Sequence, residues 1–378
     1  MPWKETTTMS NRAGFIEQAK VEGANISALC QAYGISRKTG YKWLKREQEG
    51  GAAGLLEQSR CPRRHPAQTS PEMERQVLGV RDEHPAWGGR KIRRVLQEGG
   101  EGGVPAASTI TVILRRNAKI EPEQTAKHKP FQRFEREEPN ELWQMDFKGF
   151  FALQAGGYCH PLTVLDDHSR FLVGLKACPN ETHTTVQSQL SAIFERYGLP
   201  ERILMDNGSP WGDDRDSPHT IFTSWLLRLG VAITHGRPYH PQTQGKDERL
   251  NRTLLDEVIT RHPMTTLDES QACFDEWQQT YNYLRPHEAL QLATPSTRYL
   301  PSPRPFPAYL PPVTYEPGDL IRKVDDSGKI FFHNRRIRVG KAFRYQPVAL
   351  RPTETDGIFQ VFFCKHMVAQ IDLHHDNC

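Results

Sequence analysis

The 378-residue sequence predicts a multidomain protein with all-α units in front, a central α/β domain with a mixed sheet and a small β-barrel at the end. Apolar residues recur at helical spacing as far as about residue 116, and from Glu141 onward they alternate as in strands. Polar segments marked by proline or glycine separate the parts, at 50–66, 118–139 and 301–312. We therefore predict domains at residues 1–50, 67–118, 140–300 and 313–378.

The first unit has the pattern of a helix-turn-helix. Helical spacing around Phe15 is followed by a short helix at 27–33, a turn at Gly34 and a helix at 37–47 that Ser36 can cap. In this motif the last helix enters the major groove of DNA. Its basic and aromatic residues are candidate DNA contacts: Arg37, Lys38, Tyr41 and Lys42. A small helical bundle with a solvated basic face is the alternative.

The second unit is a weaker helix-turn-helix candidate, with helices predicted at 70–84, 90–96 and 108–116. Its middle helix begins with Arg90 and Lys91, and the preceding linker contains Arg63 and Arg64. A basic helix and a basic extended linker can both lie along a phosphate backbone. These four residues are further candidate DNA contacts.

Charge is distributed unevenly behind the modest net charge of +4. Residues 1–130 contain 22 basic and 14 acidic side chains, residues 131–300 contain 16 and 23, and residues 301–378 contain 11 and 8. Basic ends suit a polyanion and an acidic centre suits cations, although ordinary surface charge explains the pattern equally well.

Cysteine and hydrophobic patterns exclude several classes of protein. The seven cysteines form no C-x-x-C pair, so neither a zinc ribbon nor a disulfide framework is predicted, and a reducing cytosol fits best. No run approaches the roughly 20 apolar residues that a membrane span needs. The first residues contain no apolar stretch typical of a signal peptide.

The central domain is predicted from alternating strands and amphipathic helices. Strands are expected at 143–151, 158–165, 171–177, 202–205 and 231–234, and helices at 182–197, 221–229, 246–259 and 274–284. This order favours layers around a mixed sheet. The last domain shows only short strands with glycine-marked turns, at 321–324, 330–332, 335–339, 346–350, 359–363 and 367–371.

Three carboxylates stand out by position. Asp146 lies inside the first strand, Asp206 closes a buried strand, and Glu248 lies in the first turn of a helix. Ligand sites in α/β sheets favour the carboxyl ends of strands. Cleavage of a phosphodiester needs an activated nucleophile and a stabilised leaving oxygen, which two divalent ions held by carboxylates can provide. Each acid alone is more often structural, as a turn residue, an edge charge or a helix N-terminal acid.

Four segments resemble the integrase core of bacterial insertion-sequence transposases, which are relatives of retroviral integrases with a ribonuclease-H-like fold. They are 144–147 (QMDF), 166–170 (DDHSR), 206–211 (DNGSPW) and 240–248 (HPQTQGKDE). The resemblance implies a catalytic and metal-binding triad of Asp146, Asp206 and Glu248 with two Mg²⁺ or Mn²⁺ ions. It favours Glu248 over the adjacent Asp247 because Glu248 holds the family position, two residues after Lys246. The zinc module of retroviral integrases has no counterpart here.

The segment before Glu248 contains further candidate DNA contacts, which are Arg237, His240, Gln242 and Lys246. A flexible loop of this kind can grip DNA near the reacting phosphate, and loop solubility is the alternative. Asp166, Asp167 and His168 are predicted to be structural, in a turn held by Ser169 and Arg170.

The resemblance implies a bacterial, cytoplasmic, DNA-associated transposase. It would bind double-stranded DNA as a homo-oligomer, cleave a strand at its element's ends, and join the 3′-hydroxyl to target DNA. Two alternatives stay open at this point. A ribonuclease-H-type nuclease needs no recognition of element ends, and a DNA-binding regulator needs no intact triad.

Overall fold

The computed structural model describes residues 7–57, 68–120, 135–206, 208, 211, 219–236 and 245–374. The chain divides into two compact units, Met1–Gln68 and Thr69–Cys378.

The first unit is a three-helix helix-turn-helix, as predicted. Its helices are α1 (Thr8–Ala19), α2 (Ile26–Ala32) and α3 (Arg37–Gly50). The Ser36 hydroxyl accepts a hydrogen bond from the Thr39 amide (3.1 Å) and caps α3. A Cβ atom at Gly40 would lie 2.5 Å from Cys30 Sγ and 2.9 Å from Phe15 Cζ, so only glycine lets α3 approach its neighbours this closely.

The second unit begins with another three helices, α4 (Pro71–Glu83), α5 (Gly89–Glu98) and α6 (Ala107–Arg116). Their small core is built around the buried side chains of Val77, Trp87, Ile92, Ile110 and Leu114. Pro71 at the first turn and the Ser70 cap start α4 where the sequence predicts a helix start.

A six-stranded mixed sheet follows in the same unit. Its strands are β1 (Trp143–Phe147), β2 (Phe151–Ala152), β3 (Tyr158–Asp166), β4 (Leu172–Cys178), β5 (Arg202–Met205) and β6 (Ala232–His235). The order is β2-β3-β1-β5-β6, and β4 also pairs with β3. Strands β1, β5 and β6 are parallel to one another, whereas β3 is antiparallel to both β1 and β4. The expected single strand at 143–151 is two strands, because Gly149 interrupts it with a φ of +89°.

Helices cover both faces of this sheet. They are α7 (His183–Tyr197), α8 (Ile221–Arg228), α9 (Gly245–Leu254) and α10 (Leu267–Gln279). One hydrophobic core joins β1, β3 and β5 to α7 and α8, and a second core joins β3 and β4 to α9 and α10. The α/β layering predicted from the sequence is therefore confirmed, and α10 begins earlier than the predicted residue 274.

The C-terminal strands do not close into the expected barrel. They are β7 (Leu320–Lys323), β8 (Lys329–Phe332), β9 (Arg335–Arg338), β10 (Pro347–Pro352), β11 (Ile358–Phe363) and β12 (His366–Asp372). Within the described residues, β12-β11-β10-β7 form an open antiparallel sheet, because β7 and β12 each pair with one neighbour only. Strands β8 and β9 pair with each other as a separate hairpin.

No helix in the described part of the chain is both long and apolar enough to cross a bilayer.

Candidate active site and DNA-facing surface

The sheet brings Asp146 and Asp206 to the same edge. Strands β1 and β5 are parallel, with Trp143 opposite Ile203 and Gln144 opposite Leu204. Asp146 lies two residues beyond Gln144, where the pairing of β1 with β5 ends, and Asp206 directly follows β5. Carboxyl ends of parallel strands meet at one edge of a sheet, so the two carboxylates interact although 60 residues separate them.

Asp146 is largely removed from water. Burial first, and then the charge of Asp206, raise the pKa of Asp146 to about 6. Asn251 Nδ2 donates a hydrogen bond to Asp146 Oδ2 (3.2 Å), and Thr163 Oγ1 donates one to the Asp146 carbonyl (3.0 Å). Strand β3 and helix α9 therefore both orient this residue.

Asp206 is held by the turn that follows β5 and by the neighbouring strand. The Gly208 amide donates to Asp206 Oδ1 (3.0 Å), and His235 Nδ1 donates to the Asp206 carbonyl (2.8 Å). Because a carbonyl only accepts, His235 carries its proton on Nδ1, and its buried Nε2 has no hydrogen-bond partner in the described structure. His235 is thus a polar neighbour of the site that the sequence did not single out.

Helix α9 turns Asp247, and not Glu248, toward Asp146. Asp247 is 1% exposed, whereas Glu248 is exposed. Asp247 shares a face with Leu250, Asn251 and Leu254, all of which are buried. Burial first, and then the charge of Asp146, raise the pKa of Asp247 well above its usual range. Neither carboxylate oxygen of Asp247 has a hydrogen-bond partner among the described residues.

The three predicted acids are thus only partly assembled. Asp146 and Asp206 are neighbours, while Glu248 lies on the exposed side of the first turn of α9. Within the described ranges, no three His, Cys, Asp or Glu side chains are close enough together to hold a metal ion as they stand.

The turn after β3 is a buried polar network, in agreement with the structural role predicted for it. Asp166 accepts hydrogen bonds from the amides of Asn140 (2.7 Å) and Ser169 (2.8 Å), and Arg170 adopts a φ of +62°. Burial raises the pKa of Asp166. Asp167 is 0% exposed and forms an ion pair with Lys246.

Lys246 therefore points into the protein. Its side chain is 16% exposed, and its ammonium donates to Asp167 Oδ1 and to the Asp167 carbonyl. Burial, followed by the nearby charge of Arg170, lowers the pKa of Lys246 to about 8 in spite of Asp167. The structure thus gives this candidate DNA contact a partner inside the chain.

The candidate DNA contacts of α3 lie on its exposed face. Arg37, Lys38 and Lys42 are exposed, and Tyr41 is 59% exposed. The buried side of the same helix holds Trp43 against α1 and α2. One face of α3 thus packs the unit and the other is available to a ligand.

The basic residues of α5 have acidic neighbours in the central domain. Arg90 lies 3.7 Å from Glu288, an exposed pair. Burial, followed by the charge of Arg285, lowers the pKa of Lys91 to about 8, and Glu257 and Glu288 act in the opposite direction. The other candidate contacts lie outside the described residues: Arg63, Arg64, Arg237, His240 and Gln242.

Sequence families match the chain along most of its length. The integrase core domain matches residues 136–241 and, in a second form, residues 229–295. The C-terminal domain of the IS481 family transposases matches residues 319–378. The chain belongs to the insertion-sequence transposases. A helix-turn-helix domain and a homeodomain-like domain match the front of the chain, at residues 11–64 and 39–114, respectively.

Curated relatives each match part of the chain. An uncharacterized protein of insertion element IS407 from Burkholderia multivorans is 28% identical over 158 residues, which are 42% of this chain and 54% of that protein. The Gag-Pol polyprotein of avian reticuloendotheliosis virus is 28% identical over 122 residues, 32% of this chain and 10% of the polyprotein. The chain thus spans about half the length of the first relative and far less of the second.

Two solved viral structures match the chain with low TM-scores. A simian T-cell lymphotropic virus intasome in complex with the PP2A regulatory subunit B56 gamma matches with a TM-score of 0.38 and 18% identity, over 78% of this chain and 98% of that chain. The HTLV-2 integrase catalytic core domain in complex with magnesium matches with a TM-score of 0.34 and 18% identity, over 43% and 97%.

The sequence analysis did not single out Asn251 or His235 as neighbours of the site, and it did not predict that Asp247 points inward. A signal existed for two of them. Asp247 and Asn251 lie one helical turn apart and extend the apolar stripe of Leu250 and Leu254, so helical spacing alone turns them inward. Nothing local marks His235, because its role depends on the pairing of β6 with β5.

Proposed function

We propose that this chain is a DNA transposase that binds its element's ends, hydrolyses a strand there and joins the freed 3′-hydroxyl to target DNA. The observation that carries the proposal is the pair Asp146 and Asp206 at the carboxyl edge of β1 and β5, beside the acidic first turn of α9. The integrase core families that match this region support it.

The donor set fits a divalent cation. Asp146 is half-buried beside a second carboxylate, and a hard cation with oxygen ligands would relieve that repulsion. We propose that Asp146, Asp206 and Glu248 hold two Mg²⁺ or Mn²⁺ ions. Ions held there would supply the activation of the attacking oxygen and the stabilisation of the leaving oxygen. Asn251 and Thr163 fix the orientation of Asp146, and the Gly208 amide fixes Asp206.

Isosteric amides test the proposed triad. We expect Asp146→Asn, Asp206→Asn and Glu248→Gln each to abolish cleavage and joining while end binding is kept, because an amide removes the charge that a cation needs. Asp256→Asn is the matched control, since Asp256 is an exposed acid in the π-helical turn Leu255–Ile259 that directly follows α9. A variant that cleaves as fast as the control would remove that residue from the site.

We also propose that the front of the chain recognises the element's ends through the exposed face of α3. Arg37, Lys38, Tyr41 and Lys42 supply charge and stacking surface there. Each phosphate contact should contribute about −0.9 to the slope of log K against log salt. Full-length protein with Arg37 and Lys42 both changed to Ala should lose its preference for end DNA over random DNA, as measured by competition binding; an unchanged preference excludes this face.

Finally, we propose that the protein acts as a homo-oligomer on double-stranded DNA. Concerted joining of two ends needs two active sites, and closed pairs are the commonest soluble assemblies. Mass measurement of the complex with end DNA tests this proposal. A complex of one chain with one end that still joins two ends in concert would refute it.

A further inference from the structure

The carboxylate of Asp167 lies at the meeting point of three segments. It is 0% exposed and accepts a hydrogen bond from Gln144 Nε2 at Oδ1 (2.6 Å) and from the Arg136 amide at Oδ2 (2.9 Å). Lys246 Nζ donates to the same Oδ1 and to the Asp167 carbonyl, at 3.3 Å from the carbonyl. One buried side chain thus binds strand β1, the segment before it and helix α9.

The two side chains that donate to Asp167 Oδ1 each lie two residues before a proposed catalytic acid. Gln144 lies two residues before Asp146 on β1, and Lys246 lies two residues before Glu248 on α9. Residues two apart on a strand point to the same face of the sheet. The Asp167 carboxylate therefore connects a side chain of β1, the strand that carries Asp146, to the first turn of α9, the helix that carries Glu248.

This connection is costly to break. Asp167 is fully buried, so loss of Lys246 would leave a carboxylate that water cannot reach without its ion pair. Gln144 is 1% exposed, and its amide would lose its acceptor if Asp167 were lost. Glu248 itself is exposed, whereas Lys246, two residues before it, ties the first turn of α9 to Asp167.

We propose that Asp167 and Lys246 are positioning residues, which hold the first turn of α9 at a fixed distance from β1 so that Asp146 and Glu248 act together. Lys246 then serves catalysis from inside the protein and does not contact DNA. This inference rests on the proposed function, because it concerns the alignment of that same site.

Single-turnover cleavage of a duplex that carries the inverted repeat flanking the protein's own reading frame provides the test. The variants are Asp167→Asn, Lys246→Met and the two combined, each in the full-length chain. Since a displacement of about 1 Å can cost about 100-fold in rate, we expect each variant to lower the cleavage rate by about that factor. The affinity for the duplex and its salt dependence should stay unchanged, and the double variant should be no slower than either single variant.

Asp319→Asn is the control, because it breaks the Arg351–Asp319 ion pair of the C-terminal sheet and should leave the cleavage rate unchanged. Thermal melting first shows whether each variant folds. If Asp167→Asn does not fold, the cleavage rate of Lys246→Met alone tests the inference. A salt slope smaller by about 0.9 in Lys246→Met identifies a phosphate contact and overturns the inference. If the wild-type chain cleaves and the variants cleave at the same rate, the inference is wrong and the proposed function stands. If the wild-type chain neither cleaves nor joins, the proposed function and the inference are both wrong.

Discussion

The turn after β3 and the first turn of α9 each bury an aspartate, and the two aspartates have opposite surroundings. Asp167 is 0% exposed and is bound by Lys246, Gln144 and a backbone amide. Asp247 is 1% exposed and neither of its oxygens has a hydrogen-bond partner in the described residues. Burial alone therefore does not decide what a carboxylate contributes to stability; its partners decide.

Removal of the partnered carboxylate should have the largest effect. Asp167→Ala removes a buried carboxylate together with its ion pair to Lys246 and its hydrogen bond from Gln144, so we expect the free energy of unfolding to fall by about 3–5 kcal/mol. Urea denaturation of the full-length chain measures this loss. Asp326→Ala, which removes an exposed acid, is the control. An equal loss of stability in both variants would show that the buried partners of Asp167 are not the cause.

Removal of the unpartnered carboxylate should act in the opposite direction. Asp247→Asn abolishes a charge that burial and Asp146 both disfavour, so we expect a gain of about 1–3 kcal/mol, or a few degrees in melting temperature. Melting in the presence of a chelator measures it, because divalent ions would change the balance of charge. Glu248→Gln, on the exposed side of the same turn, should leave the melting temperature unchanged. A lower melting temperature for Asp247→Asn would show that Asp247 has a stabilising partner.

A buried histidine whose ring donates to a backbone carbonyl is intermediate between the partnered Asp167 and the unpartnered Asp247. His287 is 7% exposed and its Nε2 donates to the Tyr281 carbonyl (3.2 Å). Burial, followed by the charge of Arg285, lowers the pKa of His287 well below its usual range. The unfolded chain therefore binds this proton first, so the contribution of His287 is complete above the ordinary pKa of about 6.5 and is lost as the pH falls below it.

We expect the wild-type free energy of unfolding to fall by at most about 1.4 kcal/mol per pH unit from this group as the pH drops from about 6.5 to about 5. His287→Gln keeps a donor for Tyr281 and should flatten that decline, as melting temperatures across this range would show. His262→Gln, at an exposed site, is the control. An equally steep decline in His287→Gln would assign the pH dependence to other groups.

Agreement between sequence and structure is closest where the signal is local. The cap at Ser36 and the buried Leu250, Leu254 and Val258 on one helical face follow from neighbours within one or two turns. The places of Asp146 in a strand and Asp206 at a strand end follow from alternation and from the turn at Gly208. These features depend on few residues, so a single sequence determines them.

Two basic helices illustrate what a sequence pattern leaves undecided. Arg37 and Lys38 of α3 are exposed, as the helix-turn-helix pattern predicts. Arg90 and Lys91 of α5 have a similar pattern, yet acidic residues of the central domain lie beside them. The charge pattern is the same in both helices, and only the packing of α5 near Glu257 and Glu288 distinguishes them.

The sequence by itself determined the order of helices and strands, the mixed α/β core and the edge of the sheet where Asp146 and Asp206 lie. Tertiary structure alone decided that Asp247 turns toward Asp146, that Lys246 binds Asp167 and that the last strands form an open sheet with a separate hairpin. The physical reason is the range of the interactions. Helical and strand periods arise between near neighbours, whereas an ion pair across 79 residues or the closure of a sheet depends on how distant segments pack.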